Sequence, residues 1–138
     1  MKIAGAMRAA QRASNDGTCQ RRKIGAVVCD RDGNILGVGH NGTNGECSCP
    51  GRDVPAGAGN AACYGIHAEV RALMAAFEAG AKPADIASCY STKAPCTSCT
   101  LLLLATGCSE IVFQKESNET LNRDIWLNAG RSWVYQPG

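Results

Sequence analysis

His67 and Glu69 stand two residues apart, and Cys96 and Cys99 stand three apart directly after Pro95. One imidazole, two thiols and one carboxylate are the groups a zinc hydrolase needs. Zinc favours tetrahedral nitrogen and sulfur ligation, and a catalytic site keeps three protein ligands and an open fourth position for water. His67, Cys96 and Cys99 supply three such ligands. A carboxylate two residues past the histidine is not stacked beneath it on a helix. Glu69 can therefore lie beside the metal without binding it, and take a proton from the bound water and pass it on. The plainer readings are a structural zinc site or a redox Cys-x-x-Cys pair. A structural site wants four protein ligands, and the best fourth candidate near this set is a carboxylate. The ordered pairing of both motifs favours catalysis.

These side chains need elements to carry them. A helix starting at Pro95-Cys96 points both sulfurs to one side, and its N-terminus eases thiol ionisation. The missing N–H of Pro95 suits that helix start. Leu101 to Leu104 would carry this helix, 96–105, into a core, with Gly107 closing it. His67 opens another helix over 66–79, mostly apolar and expected to be well buried, ended by Gly80. Residues 2–14 read as a helix from the spacing of Ile3, Ala6, Met7 and Ala10. Residues 118–129 read as a fourth, capped by Asn118 and ended by Gly130. Strands are expected from Ile24 to Val28 and from Ile35 to His40, joined by the hairpin turn Asp30-Arg31-Asp32-Gly33-Asn34. Further strands fall at 86–92, 110–114 and 132–135. A hairpin followed by alternating helices and strands implies an α/β fold, a three-layer α/β/α sandwich with a mixed five-stranded sheet. Both metal-bearing helices can then point their N-termini at one end of the sheet.

The 138 residues suit one domain, 1–138, with a moderate core. A formal charge of +2 and 5% aromatic residues argue against nucleic acid as a partner. Nine cysteines at irregular spacing argue against a disulfide scaffold. The first eight residues lack the apolar core of a signal peptide, and no run approaches a membrane span. The expectation is a cytoplasmic protein. Residues 41–62 show no periodicity and hold five of the 16 glycines, which marks a functional loop.

The His-x-Glu and Pro-Cys-x-x-Cys pair is an established signature of zinc-dependent nucleobase deaminases. Two further segments extend the match. Cys19-Gln20-Arg21-Arg22-Lys23-Ile24-Gly25-Ala26-Val27 resembles C-x-R-x-x-[VI]-G-A-V, and Gly39-His40-Asn41-Gly42 resembles G-Y-N-G. From about residue 3 to residue 135 the chain resembles the cytidine/deoxycytidylate deaminase family, and within it the dCMP-acting branch that includes phage-type members.

That resemblance implies zinc held by His67, Cys96 and Cys99, with Glu69 as proton carrier. It implies Asn41 on the sugar and Arg21, with Arg22 or Lys23, on the 5′-phosphate, where a guanidinium fork fits well. The plain reading of 21–23 is a solvated basic turn. Ala68, through its backbone, and Thr92 complete the expected substrate contacts, with side chains of the long loop. A second, structural zinc on Cys19, Cys47, Cys49 and Cys63 is an expectation of the same kind, against simple buried thiols. Cys29, Cys89 and Cys108 read as core residues. The resemblance also implies a homo-oligomer, a hexamer foremost, and dCTP and dTTP as effectors. Two positions depart from the family pattern. Arg71 stands where H-A-E-x-N-A has asparagine, and His40 replaces the tyrosine, unless it is simply a strand-end histidine. The expected reaction is hydrolysis of dCMP to dUMP. The rivals are another cytosine nucleotide or nucleoside, including a 5-substituted dCMP, or tRNA adenosine. Outside enzymes the rival is a non-catalytic zinc-binding module.

Overall fold

The computed structural model describes residues 2–17, 23–42 and 66–137. Helix α1 (Lys2–Ser14) leads into the hairpin β1 (Gly25–Cys29) and β2 (Ile35–His40). Then follow α2 (Ala68–Glu78), β3 (Ser88–Ser91), α3 (Thr97–Leu104), β4 (Glu110–Phe113), α4 (Leu121–Asn128) and β5 (Ser132–Tyr135). The five strands form one sheet in the order β2-β1-β3-β4-β5. β1 is antiparallel to β2 and to β3, while β3, β4 and β5 run parallel. The hairpin turn is built as its sequence indicates: Asp30 Oδ1 accepts from the amides of Asp32 and Asn34, at 3.0 and 2.8 Å.

Strand alternation sends successive side chains to opposite faces, and both faces are covered. Ala6, Met7 and Ala10 of α1 pack on Val27, Cys29, Tyr90 and Val112. On the other face Ala26, Val28, Cys89, Ile111 and Phe113 meet Ala72, Leu73 and Ala76 of α2, Leu103 of α3 and Trp126 of α4. The expected three layers are present, with one α-helix on one side and three on the other among the described residues. Cys29, Cys89 and Cys108 are buried free thiols, as expected of core residues.

Several expectations need correction. α2 begins at Ala68, so His67 is its N-cap, with extended backbone. α3 begins at Thr97, so Cys96 is the N-cap and Pro95 lies outside the helix rather than at its first position. α4 begins at Leu121 with Thr120 as N-cap, not Asn118. Leu101 and Leu102 are exposed, and among Leu101 to Leu104 only Leu103 is fully buried. Met74 and Phe77 likewise leave the outer side of α2 in water. A helix lying on one sheet buries one stripe only, so a run of four leucines cannot all face inward. Gly107 is not a helix cap; it lies beyond Ala105, the C-cap, packed close to the Ala84 and Ile86 carbonyls. Gly80 and Gly130, with φ +104° and +78°, do end α2 and α4 as expected. The amides of Gly80 and Ala81 reach back to Phe77 and Ala76, a Schellman closure.

The contact that fixes α2 is backbone against backbone. A Cβ at Gly37 would fall on the Ala72 carbonyl and lie 2.7 Å from the Ala76 amide. One at Gly39 would fall on the Ala68 carbonyl and lie 2.5 Å from the Ala72 amide. Neither neighbour is a flexible side-chain end that could yield. Gly37→Ala should therefore lose about 3 kcal/mol of stability. Gly5→Ala, on α1 with nothing near its Cβ, should gain about 0.5–1 kcal/mol from helix propensity. Urea titration reads both, and equal effects at the two sites would contradict the packing of β2 on α2.

Candidate metal centre and active site

The starts of α2 and α3 meet at the sheet edge where β3 and β4 end. His67 occupies the N-cap of α2 and Cys96 that of α3, each in extended backbone. The equivalent placement puts Glu69 and Cys99 in the first turns. His67 Nδ1 lies 3.5 Å from Cys96 Sγ and 3.3 Å from Cys99 Sγ. The three ligand atoms all fall within 4.8 Å of one another. A zinc ion about 2.1 Å from nitrogen and about 2.3 Å from sulfur, at tetrahedral angles, needs an N–S separation of about 3.6 Å. The donor set fits zinc in type and in spacing. No other group of three or more His, Cys, Asp or Glu side chains with this convergence exists among the described residues.

Ionisation in the pocket is uneven. Hydrogen bonding from Cys99, then from His67, lowers Cys96 to about 4 against the cost of burial. The shared hydrogen bond with Cys96, then burial, pushes Cys99 up. His67 is raised chiefly by its hydrogen bond with Cys96.

Glu69 is buried, and desolvation raises its carboxyl above the usual carboxylate range. The Ser91 hydroxyl, fully buried at the end of β3, donates to Glu69 Oε2 at 3.3 Å. A carboxyl so placed holds a proton more readily than one in water, as general acid–base work requires.

The other expected residues divide. Asn41 is buried at the end of β2: its Oδ1 accepts from the Ile24 amide at 2.8 Å, and its own amide donates to the Ile24 carbonyl. Thr92 is tied to β1, its hydroxyl accepting from the Gly25 amide at 3.1 Å. Ala68 is buried in the first turn of α2. Lys23 is exposed at the approach to β1. Arg21 and Arg22 lie outside the described residues, as do Cys19, Cys47, Cys49 and Cys63. His40 is a strand-end histidine, its Nδ1 3.3 Å from the Asn41 carbonyl. Arg71 turns to the backbone and donates from Nη2 to the Gly42 carbonyl at 3.0 Å. Gly42 pairs in turn with Ile66, next to His67. The arginine thus ties Gly42, and through its bridge Ile66, to the ligand helix.

Three supporting residues escape sequence reading. Asn122 of α4 is fully buried and donates to the Pro95 carbonyl at 2.6 Å. The Thr97 hydroxyl donates to Glu119 Oε1 at 3.0 Å. Ser91 holds Glu69 as described. Each bridges more than 20 residues of sequence, and no local pattern marks it. Asn122→Ala leaves a buried carbonyl unpaired beside a ligand. It should cost about 2 kcal/mol of stability and weaken zinc about tenfold or more. Urea titration and competition with a chromophoric chelator measure the two, and unchanged zinc affinity would remove this role.

Comparison with known proteins agrees with the geometry. Residues 2–115 match the model of the cytidine and deoxycytidylate deaminase zinc-binding region. The deoxycytidylate deaminase of Mycobacterium phage D29 is 35% identical over 110 residues, covering 72% of this chain and 83% of that protein. The deoxycytidylate deaminase of Saccharomyces cerevisiae is 30% identical over 119 residues, 79% of this chain but 36% of the yeast protein. Among solved structures, the dCMP deaminase of cyanophage S-TIM5, in complex with dCMP and dUMP, superposes with a TM-score of 0.79 at 24% identity. That match covers 96% of this chain and 95% of the other.

Proposed function

This chain belongs to the cytidine and deoxycytidylate deaminase family, and on that premise we propose that it converts dCMP and water to dUMP and ammonia. The observation that carries the reading is the meeting of one imidazole nitrogen with two thiol sulfurs, at 3.5 and 3.3 Å, with a buried carboxyl on the adjoining helical turn. His67, Cys96 and Cys99 would hold zinc, which supplies Lewis acidity and makes water acidic enough to attack near neutral pH.

Glu69 does the proton work. It accepts a proton from the water that attacks C4 of the pyrimidine and gives it to N3. A second proton goes by the same carboxyl to the departing amine, which leaves as ammonia as the C4 carbonyl forms. Ser91 fixes one oxygen of the carboxyl so that the other can face the substrate. The Ala68 backbone reads the base edge, Asn41 meets the sugar, and Arg21, Arg22 and Lys23 meet the 5′-phosphate. Thr92 serves by holding β1 to β3 beside them.

The same reading makes residues 1–138 one deaminase domain acting in the cytoplasm as a homo-oligomer, a hexamer foremost, with dCTP and dTTP as effectors. No helix of the described residues is long and apolar enough to cross a membrane. Met74, Phe77, Leu101 and Leu102 leave apolar surface in water on α2 and α3, which suits burial against a second copy. A second zinc on Cys19, Cys47, Cys49 and Cys63 remains part of the proposal.

Ammonia release from dCMP, CMP, deoxycytidine and 5-substituted dCMP tests the substrate, with dCMP expected to be the best of the four. Glu69→Gln should lower kcat about a thousandfold with zinc content unchanged. Wild-type turnover surviving in that variant would sink the mechanism.

A further inference from the structure

Asn41 and His67 sit on different elements, and one side chain spans the gap between them. Gly42 follows Asn41 past the end of β2, and Ile66 precedes His67 at the start of α2. The Gly42 amide donates to the Ile66 carbonyl at 2.9 Å, and the Ile66 amide to the Gly42 carbonyl at 3.0 Å. Arg71 closes the arrangement from the helix. Its amide donates to the His67 carbonyl at 3.1 Å, and its Nη2 donates to the Gly42 carbonyl at 3.0 Å. The outcome is a ring through Gly42, Ile66, His67 and Arg71.

The stem of Arg71 also runs against β2 on its way to Gly42. A Cβ at Gly39 would stand 2.7 Å from the Arg71 Cβ. Gly42 has φ +120°, a conformation that glycine adopts freely, so its own backbone does little to fix the direction of the strand end. The guanidinium supplies that restraint. A carbonyl oxygen has two lone pairs, and the Ile66 amide already occupies one. Arg71 is therefore not needed to satisfy the oxygen. It adds a charge-assisted bond, roughly twice as strong as a neutral one, that settles where the oxygen points. Asn41, one residue back, is held on its other side by the Ile24 amide, which donates to Oδ1 at 2.8 Å. The asparagine is thus suspended between the approach to β1 and the first turn of the ligand helix.

We propose that Arg71 is a positioning residue: through Gly42 it sets Asn41 against His67, and so holds the nucleotide sugar in register with the metal centre. It acts through Gly42 and Asn41, not on the reacting atoms. The part given to Asn41 rests on the deaminase reading above. The metal-loaded full chain is compared with Arg71→Met, which keeps the stem and drops the donor, and with Arg71→Lys, which keeps a cationic donor. Arg71→Met is also made together with Asn41→Asp, which retains an acceptor for the Ile24 amide. The readouts are kcat and KM on dCMP, zinc content, and calorimetric binding of dUMP, which needs no turnover.

Arg71→Met should raise KM for dCMP and weaken dUMP about tenfold, with kcat within about twofold and zinc content unchanged. Arg71→Lys should stay within about threefold of wild type. In the Asn41→Asp background the effect of Arg71→Met should shrink below about twofold, since the contact it positions is already altered. An undiminished effect in that background overturns the proposal, because the arginine then acts on something other than Asn41. So does a fall in kcat and zinc content at constant KM, which puts its action on His67. Equal loss in Arg71→Met and Arg71→Lys overturns it too, as do dCMP kinetics and dUMP binding that do not change in Arg71→Met. A wild-type chain that binds dUMP, more weakly in Arg71→Met, yet releases no ammonia refutes the deaminase reading and leaves the positioning role standing.

Discussion

Two helix beginnings have to arrive at the same point of space to within a few tenths of an ångström. One brings a nitrogen, the other two sulfurs, and every other part of the described fold can be read as a means of locating them. The N-cap is an economical place for a ligand. Its backbone is extended, so the side chain stands clear of the helix barrel, while the following turn locks its direction. His67 and Cys96 both use that position. The helix behind each is then pinned to the sheet by different means. α2 lies on glycines of β2, and α3 is held by Leu103 and by the buried amide of Asn122 reaching the Pro95 carbonyl.

The electrostatics of the pocket follow from that convergence. Two thiols and a carboxyl buried together cannot all ionise without a cation. Hydrogen bonding from Cys99 lowers Cys96, the same bond pushes Cys99 up, and desolvation raises Glu69. A zinc ion held by the two sulfurs would offset their charge. The Ser91 hydroxyl, 3.3 Å from Glu69 Oε2, is a buried side-chain donor that orients the carboxyl.

Much of this was legible in the residues. His67, Glu69, Cys96 and Cys99 declare themselves by type and spacing, because metal chemistry admits few donors. The hairpin declares itself through Asp30 and Gly33, and the parallel strands through the helices between them. The expected α/β/α layering with a mixed five-stranded sheet is the fold the chain adopts. Other features resisted for physical reasons. Leu101 to Leu104 carries no periodicity, so composition could not say that Leu103 alone is fully buried. The start of α4 misleads because Asn118 is a good cap by type, while the chain enters the helix later, at Thr120. Asn122 and Glu119 act across the fold, and Arg71 meets Gly42 only once α2 lies on β2.

The bare contact of β2 with α2 has a further bearing. Where side chains separate two elements, substitution of one for another lets the spacing drift by small steps. Between Gly37, Gly39 and the turns from Ala68 to Ala76 there is no such padding. The histidine end of the pocket is therefore a fixed jaw. Any adaptation of this scaffold to a bulkier or smaller ring has to come from the opposite jaw, at the α3 side.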